Sequence, residues 1–194
     1  AVDIGSALAA RFRQGGICPI YDFGRRAEET SGSPFSVTGG MTQLSDIYST
    51  RILELAAAIP RSDRLAAPDA TATAHSKLCG STISVDLVMD GDTVVDFGQT
   101  VRACLLGQAA ASIVGREIVG TKAAEFRAIA DAMRRMLKEN GPPPGGRFAD
   151  LAVLEPVRGY KARHTSTLLV FEAVERAMAE IEAKRGVAAK AAAG

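Results

Sequence analysis

The chain has 194 residues, with 23 Lys and Arg against 22 Asp and Glu, for a formal charge of +1. Its hydrophobic fraction of 47% and charged fraction of 23% exclude a wholly disordered chain, a collagen and a supercharged nucleic-acid binder. No apolar run approaches the roughly 18–20 residues a membrane span needs, and three cysteines are too few for a disulfide-stapled scaffold. A reducing compartment, the cytoplasm, is the expected location. At about 150 residues per domain, the length suits one domain with an appendage, or two small ones.

Residues 1–40 differ from the rest. Gly, Ser and Pro recur there, and no period persists, so the segment, which carries Cys18, reads as a poorly ordered extension, either artificial or misplaced or a genuine N-terminal arm. From Met41 the pattern becomes regular. Leu44 to Ala58 places Ile47, Tyr48, Ile52, Leu55 and Ala56 on one helical face. Ile59-Pro60 ends that helix, because proline disfavours helical dihedrals in the residue before it. Thr71 to Ala74 reads as strand or loop. Ser81 to Met89 alternates, with Ile83, Val85, Leu87 and Met89 on a buried side and Ser84 and Asp86 on the other. Asp90-Gly91 reads as the centre of a type I′ hairpin turn, and Thr93 to Val101 as the returning strand.

The period then changes. Leu105 to Val119 is small and apolar, suited to a closely packed helix. Thr121 is placed to cap the next one, whose buried stripe is Phe126, Ile129, Met133, Met136 and Leu137. Asn140-Gly141 and three prolines stop it. A turn through Phe148, Leu151 and Leu154 leads to a long helix from Lys161 to Lys184. The Ala-rich end, residues 186–194, is expected to fray. Strands first and helices after predict an α+β domain over residues 41–185, a small antiparallel sheet with helices packed on one face.

Two thiols stand out. Cys79 precedes the first clear strand, and Cys104 follows the second. A hairpin at Asp90-Gly91 would bring both to the same end of the sheet. Cys104 also precedes a helix, whose positive N-terminal end favours an anion such as thiolate. A soft metal or an iron–sulfur cluster needs further ligands, and His164 and His75 are the imidazoles at hand. Spacing alone leaves two readings open: metal ligands, or small buried thiols with solvated histidines. No CxxC, HxxxH or HExxH pair, P-loop, dinucleotide fingerprint or GxSxG turn is present, so an enzyme is not expected. Basic residues are interspersed with acidic ones, which argues against nucleic acid as partner. Arg61, Arg158, Lys161 and Arg163 form a candidate basic surface.

The order of these motifs, from about Ser45 to Ala179, resembles the NifU/IscU/SufU family of iron–sulfur cluster scaffold proteins. Tyr48, Pro60-Arg61 and Leu65 resemble the family's opening. Cys79-Gly80 and Asp90-Gly91 resemble its first cysteine loop and hairpin. Cys104 with Ala111-Ser112 is similar to its second cysteine and following helix. Gly120-Thr121, Leu154-Glu155, Ala162-Arg163 and Leu169 continue the likeness. The resemblance implies a [2Fe–2S] cluster held by three cysteines and an acidic or histidine partner. It also implies sulfur from a cysteine desulfurase and delivery to apo iron–sulfur acceptor proteins; some SufU-type members instead bind zinc and accept sulfur.

This chain departs from the family at two ligand places. Ser81 stands where the family has the aspartate of Cys-Gly-Asp, and Ser166, preceded by Thr165, stands where it has the third cysteine. The expected ligand set is therefore Cys79, Cys104 and His164. The alternative is two cysteines from each subunit of a homodimer. Three functional expectations follow: a scaffold or carrier for iron or a labile cluster, a zinc-binding sulfur acceptor with Cys104 as thiolate, or an interaction protein that has kept the fold and lost the site.

Overall fold

A computed structural model describes residues 49–192. The expected extension at 1–40 with Cys18, and the part of the expected first helix that carries Leu44, Ile47 and Tyr48, lie outside the described residues. Helix α1, Thr50–Ala57, buries Ile52, Leu55 and Ala56, the predicted apolar face. An irregular segment then leads to strands β1 (Ala70–His75), β2 (Thr82–Asp90) and β3 (Thr93–Arg102). They form one antiparallel sheet in the order β1-β2-β3. Helices α2 (Leu105–Glu117) and α3 (Ala123–Glu139), a 3₁₀ segment (Gly146–Gly159) and helix α4 (Lys161–Ala192) follow. The expected α+β class, with helices against one face of the sheet, is what the chain adopts. No described helix is long and apolar enough to cross a membrane.

The alternation of β2 decides which face meets the helices. Ile83, Val85 and Leu87 are fully buried on one side. In register with them, Ala70, Leu87 and Phe97 form one row, and Ala74, Ile83 and Val101 another. A bulge between Val88 and Met89 pairs Met89 with Val94 and Val88 with Asp96. Val95 is thereby left over and exposed, while Val94 and Phe97 both turn inward. Phe126 packs edge-on to Phe148 with ring centroids 6.2 Å apart and stacks on Phe171 at 5.9 Å. These rings tie α3, the 3₁₀ segment and α4 together. Burying each contributes roughly 1.5–3 kcal/mol.

Several local expectations are corrected. The hairpin loop is Gly91-Asp92, since Asp90 pairs with Thr93. Only Gly91 has positive φ, at 55°, the sign pattern of a type II′ turn rather than type I′. Thr121 does not cap α3: its hydroxyl donates to the Glu117 carbonyl at 3.0 Å, and Lys122 occupies the cap position. Asn140 takes the left-handed conformation that ends α3, at φ 55°. The Ala-rich stretch expected to fray continues α4 to Ala192.

Asp86 alternates onto the side of β2 expected to face solvent, yet it is fully buried. The segment after α1 folds across that side. Asp86 there accepts hydrogen bonds from Arg64 Nη2 (2.7 Å), Thr71 Oγ1 (2.6 Å) and the Leu65 backbone N–H (3.1 Å). On the core side, Gln99 is equally buried. Its Nε2 donates to the carbonyls of Pro60 (2.9 Å) and Ala111 (3.1 Å), joining the same segment to α2.

Helix α4 is held to the sheet by cationic side chains as well as by packing. Arg176 donates to the Thr73 carbonyl (2.8 Å), Lys184 to that of Asp69 (2.8 Å) and Arg185 to those of Met89 and Gly91.

Candidate functional site

Both thiols lie at the end of the sheet opposite the Gly91-Asp92 loop. Thr82 and Arg102 are partners in the ladder, so the loop preceding β2 and the residues following β3 emerge side by side. Cys79 lies in the loop that joins β1 to β2, not merely ahead of a first strand. That loop is closed by Ser76 N–H to Ser81 carbonyl (2.8 Å) and Gly80 N–H to Ser76 carbonyl (2.9 Å). Gly80 has φ +69° with open space where a Cβ would sit. Conformation rather than crowding therefore selects glycine there.

Cys79 is half-buried and lies between two hydroxyls. Its Sγ is 3.0 Å from Ser81 Oγ and 3.3 Å from Ser76 Oγ. A thiol donates to them, and a thiolate accepts from them. Burial pushes the Cys79 thiol up, but hydrogen bonds from both serines and the charge of Arg163 outweigh it, leaving the thiol below its ordinary value. A lowered value means a larger thiolate fraction near neutral pH.

Cys104 is the cap residue of α2, and its side chain makes no bond to the helix N–H groups. Its Sγ instead lies 3.4 Å from Ser166 Oγ on α4. The approach of the two helices is tight. A Cβ built on Gly107 would lie 2.9 Å from the Ser166 carbonyl oxygen and 2.9 Å from Ala103 Cβ. The small residues of α2 thus allow the close crossing that sets Cys104 beside Ser166.

His164 is not brought to the thiols. It is buried, with Nε2 3.1 Å from the carbonyls of both Val157 and Arg158. In that geometry the Nε2–H donates and the ring is turned toward the 3₁₀ segment. His75 is exposed, with Nδ1 3.0 Å from Thr82 Oγ1 on the outer side of the sheet. Among the described residues, no three of His, Cys, Asp and Glu group together to hold a metal ion.

The basic surface also differs from expectation. Arg158 is tied to Glu155 (2.9 Å) and the Gly141 carbonyl, and Arg61 to Asp96 (3.4 Å). Arg163 remains by Cys79, and Lys161 stands two residues before it at the start of α4.

The partnership of Ser76, Ser81 and Ser166 with the thiols was not visible in the sequence. The available signal was position: Ser76 and Ser81 flank Cys79 closely inside a turn.

A compact sheet-and-helix domain presenting two cysteines at one end defines a thiol-bearing α+β module. Comparison with solved structures places it further. It is similar to a nitrogen-fixing NifU-like protein (N-terminal) from Brucella abortus, at 57% identity and TM-score 0.72, covering 73% of this chain and 98% of that one. The chain therefore belongs to the NifU-like family, of the NifU/IscU/SufU type. It is also similar in fold to an iron–sulfur cluster assembly scaffold protein for the SUF system from Fervidobacterium islandicum. That match has 18% identity and TM-score 0.65, and covers 70% of this chain and 99% of that one. No protein-family model and no curated protein matches the chain.

Proposed function

We propose that the chain is an iron–sulfur cluster assembly scaffold or carrier that holds iron or a labile cluster through Cys79 and Cys104. The observation that carries this reading is the convergence of the two thiols at one end of the sheet, in a chain of the NifU-like family. Iron, alone or in a sulfide-bridged cluster, is a centre that thiolate binds well. The cluster is cargo here, so a site easily loaded and unloaded serves the role.

The donor set decides how firmly cargo is held. A [2Fe–2S] cluster takes four protein ligands, and this site supplies two thiols, each hydrogen-bonded to a serine hydroxyl. Ser81 and Ser166 are neutral and poor replacements for a carboxylate and a thiolate. The remaining ligand places are filled from outside the described residues, by a second copy of the chain or by the protein that donates or receives the cargo. A cysteine desulfurase as sulfur source and apo iron–sulfur proteins as acceptors fit that role, and the cytoplasm provides the reducing conditions that free thiols need.

Anaerobic reconstitution with ferrous iron, sulfide and a desulfurase tests the reading. A coloured protein with sulfide-to-iron charge-transfer absorption is expected, lost in Cys79→Ala and in Cys104→Ala. His164→Ala should leave the absorption unchanged while lowering stability by about 1–3 kcal/mol, because two carbonyls lose their donor. A colourless protein holding stoichiometric zinc would replace the scaffold reading with that of a zinc-dependent sulfur acceptor. A protein that takes up neither metal would overturn both.

A further inference from the structure

Most cations among the described residues are matched with acids. Arg51, Arg61, Arg64, Arg116, Arg127, Arg134, Arg158 and Arg176 all have carboxylate partners. The thiol end is different. Lys77 lies in the Cys79 loop, and Arg102 ends β3 beside it. Lys161 opens α4, and Arg163 is near enough to Cys79 to act on its charge. None of these four side chains has a carboxylate partner among the described residues. The three stretches that build this end, residues 75–82, 100–108 and 156–166, contain no Asp or Glu at all.

An apolar group lies in the same loop as Lys77. Leu78, next to Cys79, is 78% exposed, the highest value for a large hydrophobic side chain among the described residues. A single exposed leucine is ordinary on a protein surface. One beside a thiol, next to Lys77 and at the sheet end where Arg102 also emerges, fits the anatomy of an interface: an apolar anchor with a polar rim. A single-stranded nucleic-acid surface would call for several aromatic platforms along a groove, and Tyr160, half-buried, is the one Phe, Tyr or Trp in these three stretches.

We propose that the thiol end is a docking surface for an acidic protein partner, with Leu78 as the apolar anchor and Lys77, Arg102, Lys161 and Arg163 as the charged rim. The inference rests on the scaffold reading for its biological sense, since cargo must enter and leave beside the thiols. Its physical basis is independent of metal. The rim charges act mainly on encounter rate and salt dependence, and Leu78 on residence time.

The test uses the full chain, isotopically labelled and without metal, in an NMR titration. The probe is a synthetic acidic peptide of Glu, Asp and Leu residues; controls are its Gln/Asn analogue, a Leu-free acidic peptide and a single-stranded RNA. The acidic peptide should shift signals at residues 75–82, 102–104 and 161–166. Its affinity should fall about ten-fold or more between low and physiological salt, as expected for exposed charges. Arg102→Glu with Lys161→Glu should abolish the binding, while unchanged signals in α3 show that the variant is folded. Leu78→Ser should weaken the Leu-containing peptide about three-fold or more and leave the Leu-free one unaffected.

Shifts centred elsewhere, for example around the unmatched Arg135 and Lys138, would overturn the proposal. So would indifference to the charge reversals, or tighter binding of RNA at the same residues. Cluster formation is read separately. Peptide binding without reconstitution sinks the scaffold reading alone; reconstitution without peptide binding sinks the docking surface alone.

Discussion

The crossing of α2 over α4 is open to a sharp test at Gly107. In an unconstrained helix interior, Gly→Ala is favourable by about 1 kcal/mol, because glycine loses more backbone freedom on folding. Here the added methyl would meet the Ser166 carbonyl and Ala103 Cβ at 2.9 Å each, some 0.5 Å or more inside ordinary carbon contact distance. One neighbour is backbone of another helix and cannot rotate away. Overpacking of this kind costs about 1–3 kcal/mol. Gly107→Ala should therefore fail to show the helix-propensity gain, and destabilise by up to about 2 kcal/mol net. Gly186 supplies the control, since it lies in α4 with nothing within 4 Å of its built Cβ; Gly186→Ala should be neutral or stabilising by up to about 1 kcal/mol. Urea unfolding of the two variants measures the difference directly. The same substitution should move Cys104 away from Ser166 and slow cluster formation. If Gly107→Ala proves as stabilising as Gly186→Ala, the helices are not in close contact, and the account of how Cys104 is positioned fails.

Three further outcomes are expected. Ser81→Ala removes the nearest hydroxyl from Cys79 and should raise its pKa, so that iodoacetamide labelling at neutral pH, mapped to Cys79 by mass spectrometry, slows several-fold; unchanged labelling would show that the serine does not hold the thiolate. Asp86 is buried, and burial alone would raise its pKa. Hydrogen bonds from Arg64, Thr71 and Leu65, with the charge of Arg64, prevail and lower it. Its contribution to stability is thus present above the unfolded carboxylate value near 4 and is lost as pH falls through the lower folded value. Asp86→Asn should cost about 1–3 kcal/mol at pH 7 and flatten the acid limb of the stability–pH curve, and an unaltered limb would assign that limb to other carboxylates. Ser166→Cys puts a third thiol beside Cys104, and a reconstituted chromophore should then persist several-fold longer under air; an unchanged lifetime would mean that the position does not reach the cargo.

The elements of the domain were legible because their periods are strong. The alternation of Ile83, Val85 and Leu87, and the stripe of Phe126, Met133 and Met136, each point to one buried face. What escaped was long-range. Asp86 alternates as a solvent residue should, and only Arg64 and Thr71, distant in sequence, make its burial tolerable. Thr121 has the identity of a cap, but the Glu117 carbonyl behind it is the better-placed partner. At the site, the two thiols were legible through the hairpin that unites them. The hydroxyls beside them were not, because serine in a sequence carries no sign of what it will face. His164 has the right chemistry for a ligand and the right distance along the chain. Its helical phase turns it toward the carbonyls of Val157 and Arg158, while Arg163 lies by Cys79 and Ser166 by Cys104.

The cationic ties from α4 to the sheet carry a consequence for synthesis. Arg176, Lys184 and Arg185 reach carbonyls on residues 103, 115, 94 and 96 positions earlier in the chain. At roughly 5–20 residues per second, the ribosome delivers the strands on the order of 5–20 s before the helix that covers them. Through that interval the Cys79 loop has its hairpin but not Arg163, and Cys104 lacks Ser166. A nascent chain thus shows its thiols to the cell before Arg163 and Ser166 are in place, which makes the last helix the step that completes a site whose Cys79 loop has already formed.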